Sequence, residues 1–127
     1  MSPDAPLVSN LAIWSNIALI RQYHQNMPAE EAKSLALELL SRMDMEAISE
    51  KRNFALTTEE RFCAMLLRAA MVMDPVIILD RPFSILTNLR DGNFIMDALR
   101  RIDDLIAEAH IFDYSWAESC YGGAECR

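Results

Sequence analysis

Asp80 closes a run of four large apolar residues, Val76-Ile-Ile-Leu79, and is followed at once by Arg81. A lone carboxylate at the end of such a run makes a poor metal site by itself. It could instead cap local backbone N–H groups or pair with Arg81 or Arg68, and the residues favour that reading. Upstream, Thr57-Thr-Glu-Glu60 has the form of a capping box, in which Thr57 accepts from the Glu60 N–H and the Glu60 side chain reaches back. Paired acids occur at Glu30-Glu31 and Asp103-Asp104, but adjacent helical positions diverge by about 100°, so these read as solvated faces. His24 and His110 stand singly, with no evident partner. Three cysteines, Cys63, Cys120 and Cys126, lack metal-ligand spacing and suggest a reduced, intracellular chain. These residues assign no catalytic group and no metal-ligand set.

The elements that must position these residues are mostly helices, because only three glycines occur in the whole chain and loop-rich folds need more turn residues. Leu11 to about His24 reads as a helix with a broad buried face. Asn26-Met-Pro28 then punctuates, with Pro28 tolerated at a first helical position and Glu30 and Glu31 complementing the positive helix end. Ala32, Leu35, Ala36, Leu39, Leu40 and Met43 recur at helical spacing. A helical turn is expected at Glu46 to Glu50. Behind the capping box, Phe62, Met65, Leu66, Ala69, Ala70 and Met73 continue an apolar stripe, with Cys63 among them as a small core residue. Asp74-Pro75 stops that helix.

Val76 to Leu79, three of the four β-branched, reads as a strand buried on both faces. Asp91-Gly92 marks a turn, Asn93 to Glu108 another helix, and Ala109 to Asp113 a second short strand. Met43, Met45, Met65, Met71 and Met73 read as core fillers rather than a flexible binding surface, and Trp14 and Trp116 as packing anchors. The expected organisation is one domain over 1–127: a mainly helical part at 7–75, a strand–helix–strand part at 76–115, and a mobile tail at 117–127 holding Cys120 and Cys126.

Charge and composition narrow the function classes. The 127 residues carry 12 Lys+Arg against 19 Asp+Glu, a net charge of −7. Nucleic-acid binding depends on cationic contacts to phosphate, and anionic membranes attract basic segments, so both partners are disfavoured. The most apolar stretch, Leu11 to Ile20, is interrupted by Ser15 and Asn16 and is shorter than the roughly 18 residues a spanning helix needs. No secretory signal is visible at the start. A cytoplasmic protein without membrane insertion is expected.

In order, Asn53 to Leu86 offers a capped helix, Asp74-Pro75, a strand ending in Asp80, and Pro82-Phe-Ser-Ile-Leu86. This order resembles ATP-binding-cassette (ABC) transporter ATPases from the signature helix through the Walker B strand to the D-loop. Asn10-Leu11, Asn16-Ile-Ala-Leu19 and the Glu30-Glu31 helix are similar to the helical subdomain that follows the Q-loop. The resemblance spans about residues 7 to 115. It implies an α/β, predominantly α-helical fold: a helical subdomain plus one or two short parallel strands of a truncated P-loop NTPase core.

The departures from that family fall at its chemistry. No G-x-x-x-x-G-K-[ST] phosphate loop occurs, and one glycine before the tail leaves no room for a disguised one. Where the family has Leu-Ser-Gly-Gly-Gln, this chain has Leu56-Thr57-Thr58-Glu59-Glu60. Its two carboxylates would repel an incoming phosphate by on the order of 1 kcal/mol per charge pair at about 4 Å in water, and more where drier. Asp80 matches the magnesium-organising aspartate, but the water-polarising glutamate is replaced by Arg81, which stays protonated and cannot act as a base. The D-loop aspartate position is Thr87, and no switch histidine is evident.

The vestigial nucleotide-site positions are therefore Thr57, Thr58, Glu59, Glu60, Asp80, Arg81 and Thr87. A degenerate, non-hydrolytic ABC ATPase-like interaction or regulatory module is expected, with no cofactor of its own. Its partner would be a second copy or another protein; the resemblance implies that a transporter subunit could dock on the helical subdomain. The alternative is a split ATPase half, binding ATP and Mg²⁺ only if a partner chain supplies the phosphate loop.

Overall fold

The computed structural model describes residues 1–72, 75–86 and 92–113. Among these residues, four helices form where the apolar spacing is helical: α1 (Ile13–His24), α2 (Ala29–Arg42), α3 (Thr58–Ala70) and α4 (Asn93–Arg101). Pro28 is the N-cap of α2 rather than its first residue; its extended ψ of 148° places its carbonyl to accept the Ala32 N–H at 2.9 Å. The C-terminus of α2 closes as a Schellman turn, with Asp44 N–H on Ser41 O and Met45 N–H on Leu40 O. Asp44 takes the left-handed conformation this needs, φ 55°, a position Asp tolerates better than most residues. Short 3₁₀ turns follow at Glu46–Ile48 and Asn53–Ala55.

Helices α1, α2 and α3 pack on one another around Ile13, Ile17, Ala36, Leu40, Phe62, Leu66 and Leu67, all buried. Cys63 is buried among them, and desolvation pushes its thiol up to about 12. Asn16 is buried too, and its side chain is fully used. Its Oδ1 accepts the Val8 N–H at 2.7 Å, while Nδ2 donates to the Val8, Leu11 and Ala12 carbonyls at 3.1 to 3.3 Å. Trp14 is half-buried, with Lys33 Nζ 5.7 Å from its ring centroid.

Two strands, β1 (Val76–Asp80) and β2 (Glu108–Phe112), pair in parallel, with Val76 opposite Glu108 and Asp80 opposite Phe112. The expectation of a strand covered on both faces is overturned. Ile77 and Leu79 are buried in the core with α3, whereas Val76 and Ile78 are 52% and 48% exposed. Phe112, on the same face, is 58% exposed. A continuous apolar run marks a strand that could be covered twice, but among the described residues the helices cover one face only.

Helix α4 is also shorter than its apolar spacing suggested. It ends at Arg101, and Ile102 to Leu105 continue as turns although Ile102 is buried. Asp103 and Asp104 oppose continuation, because negative charge is unfavourable at a helix C-terminus. They are therefore not on a helix, and Asp104 turns to Arg42 at 2.6 Å. Arg42 and Arg101 each donate to the other's backbone carbonyl, at 3.4 and 2.9 Å, and tie the end of α2 to the end of α4. Phe62 and Phe94 meet edge to face at 6.0 Å across α3 and α4.

Candidate functional site

The end of β1 places Asp80, and the residue after it leaves the strand sharply. Arg81 adopts a left-handed backbone, φ 48° and ψ 57°, at a cost of roughly 1–2 kcal/mol for a residue with a Cβ. Its N–H donates to Phe112 O at 2.6 Å, which continues the β1–β2 pairing by one residue, before Pro82–Ser84 form a 3₁₀ turn. The turn folds the guanidinium back onto its neighbour. Nε donates to Asp80 Oδ1 and Nη2 to Asp80 Oδ2, both at 3.1 Å. Nη2 also reaches Asp4 Oδ2 at 2.7 Å, and Ser2 Oγ donates to Asp80 Oδ2 at 3.0 Å.

Both oxygens of Asp80 are thus engaged by this chain's own groups. The Arg81 hydrogen bonds, then that from Ser2, hold its carboxyl below the ordinary aspartate range. Arg81 is in turn raised by Asp80 and Asp4. A carboxylate of lowered basicity is a weak proton acceptor, and Arg81 has no proton to release at working pH. Asp80, Arg81, Phe112 and Asp113 line an open depression of about 200 Å³. Among the described residues, no group of three or more His, Cys, Asp or Glu side chains could hold a metal ion.

The Thr57–Glu60 segment forms the capping box its spacing predicts. Thr57 N–H donates to Glu60 Oε1 at 2.9 Å, and the Glu60 N–H donates to Thr57 Oγ1 at 3.2 Å. Thr58 Oγ1 lies 3.3 Å from Glu59 Oε1. The box thus occupies the Thr57 and Glu60 N–H groups with the chain's own acceptors, at a helix end of the kind that elsewhere offers its N–H groups to an anion. Thr58 shares a groove of about 230 Å³ with Ser84, Ile85, Arg61, Met65, Pro3 and Pro6. So the cap of α3 and the turn after Arg81 meet around the N-terminal segment, while Asp80 and Arg81 line a separate depression.

Thr87 lies outside the described residues, as do Met73, Asp74, Asp91, Trp116, Cys120, Cys126 and the expected tail at 117–127. His110 is not without a neighbour: its Nε2 lies 3.0 Å from Glu108 Oε2 on the exposed face of β2. Sequence reasoning missed Ser2 and Asp4. Each meets its partner across more than seventy residues, and no local spacing signals such a pairing.

No helix among the described residues is long and apolar enough to cross a membrane. No protein-family profile matches the chain, and no curated relative does. Solved structures do match. One, described as the dimeric structure of MJ0796, a bacterial ABC transporter cassette, aligns with a TM-score of 0.63 at 20% identity. The alignment covers 87% of this chain and 50% of that one, so this chain spans about half the length of the cassette. At that identity the likeness shows the fold, an α/β ABC-cassette-like arrangement.

Proposed function

We propose that this chain is a non-hydrolytic interaction or regulatory module built on an ABC-cassette-like fold. The observation that carries the reading is the Asp80–Arg81 clamp. The carboxylate that matches the magnesium-organising position has both oxygens bonded by the next side chain, at 3.1 Å each, and that side chain is a fixed cation. Neither Asp80, held by Arg81, nor Arg81 itself, a fixed cation, stands ready there to take a proton from water. The capped start of α3, carrying Glu59 and Glu60, points the same way, since a phosphate there would meet two carboxylates and the box already occupies the Thr57 and Glu60 N–H groups. The module acts in the cytoplasm and works through protein contacts: a second copy, or a transporter subunit docking on the helical part, where Tyr23 and Phe54 are 76% and 84% exposed.

Phosphate release from ATP, measured with and without Mg²⁺ on the purified chain, tests this. Release at background, unchanged by Arg81→Glu, is the expected result. Magnesium-dependent turnover that co-purifies with the chain and disappears in Asp80→Asn would overturn it.

A second reading is the split cassette, favoured by the exposed Val76, Ile78 and Phe112 and by the half-length match. Here another chain would supply the phosphate loop and cover the open face of the sheet. Thermal shift with ATP and Mg²⁺, alone and with a candidate half-chain carrying a phosphate loop, separates the two readings. Stabilisation only in the mixture supports the split cassette; no shift in either supports the module.

A further inference from the structure

The outer edge of β1, on the side away from β2, is occupied by Met1. The Met1 nitrogen donates to Ile78 O at 2.7 Å, and the Asp80 N–H donates to Met1 O at 2.9 Å. These two bonds flank Leu79 and have the pattern of a parallel ladder one residue long. Residues 1–6 are fastened at further points: Ser2 to Asp80, Asp4 to Arg81, and Arg68 to the Ala5 and Pro6 carbonyls at 2.6 and 2.9 Å. Leu7, 3% exposed, then anchors the segment in the core.

What lies beneath is the segment of this chain best suited to pair with itself. Val76-Ile-Ile-Leu79 is uncharged, contains no proline and has three β-branched residues, the composition of a self-pairing strand. Because backbone groups alternate along a strand, the Val76 C=O and Ile78 N–H face the same outer edge as the two groups Met1 engages. The half-exposed Val76 and Ile78 side chains add apolar area beside that edge. Natural sheets cover such edges with loops, because an open edge is a template for another chain.

We propose that residues 1–6 are an edge guard, a strap that keeps β1 from pairing with β1 of a second copy of this chain. A two-fold axis would bring two such strands together antiparallel, with identical apolar side chains in register. The strap is held by groups that water and salt can reach, since the Asp4 side chain is 80% exposed. It is therefore the part of the β1 environment that opens first, and salt weakens its ion pair.

The test compares the parent chain with a deletion of residues 2–6. A double variant of unchanged length, Ser2→Gly with Asp4→Lys, loosens the strap without deleting residues, should the deletion fail to fold. Hydrogen exchange at the Asp80 amide is expected to accelerate at least about tenfold in either variant. The Arg81 amide, bonded to Phe112 on the inner side, should change less. Sedimentation at equal concentration should show larger species than the parent, and adding Ile78→Lys should abolish the difference. Unchanged Asp80 exchange in a folded variant overturns the strap. Faster exchange with the parent's sedimentation behaviour, or association that Ile78→Lys leaves intact, overturns its role as a guard against pairing.

Discussion

Replacing Asn16 by alanine removes one side chain that organises the entry into α1. The carbonyl oxygen accepts from Val8 at 2.7 Å, and the amide nitrogen serves three carbonyls, the best at 3.1 Å and two at 3.3 Å. Counting the two shorter bonds at about 1 kcal/mol each, and adding about 1 kcal/mol for the Val8 N–H left without its acceptor, gives a loss of about 3 kcal/mol. For a chain of 127 residues, the entropy of unfolding is about 0.27 kcal/mol/K, so Tm should fall by about 11 °C. Thermal unfolding by circular dichroism reads the shift. Hydrogen exchange at Val8 reads its cause, because that amide should lose its protection well before global unfolding. A fall in Tm under about 3 °C, or a Val8 amide that exchanges as in the parent, would refute the reasoning.

Thr57→Ala removes the cap oxygen of α3 and should cost about 1 kcal/mol, measured by urea unfolding with an unchanged m-value; Thr57→Ser should restore most of it. Cys63, buried and with its thiol pushed up to about 12, should resist alkylation at pH 8 in the native chain and react once unfolded, as peptide mapping would show. Its raised pKa implies a contribution to stability that is complete below about pH 9 and disappears toward pH 12, amounting to about 4 kcal/mol over that window. Cys63→Ala should flatten that part of the alkaline stability profile, and a profile parallel to the parent's would count against the burial argument.

What was legible in the sequence is what local spacing determines. The Thr57–Glu60 box, the α2 stripe from Ala32 to Leu40 and the two short strands all form where their residues place them, within a few positions. The coverage of β1 was not legible, because an apolar run records what a strand could bury rather than what packs on it, and Val76 and Ile78 stay half open. The end of α4 lay beyond reach for a related reason. Ile102 and Ile106 keep the helical period, yet two aspartates and the Arg42 pairing end the helix at Arg101. At the candidate site, Asp80 and Arg81 were visible as adjacent charges. The left-handed turn at Arg81 and the arrival of Ser2 and Asp4 depend on how the N-terminal segment crosses β1, which no window of sequence encodes.

The crossed arginines between α2 and α4 have a mechanical consequence. Arg42 and Arg101 each use the other's carbonyl as acceptor, and each also has a carboxylate, Asp104 and Asp44 respectively. Neither arm can let go without loosening the seat of the other, so the joint should release in one step. All four contacts are solvent-exposed, so added salt should weaken the two arms together.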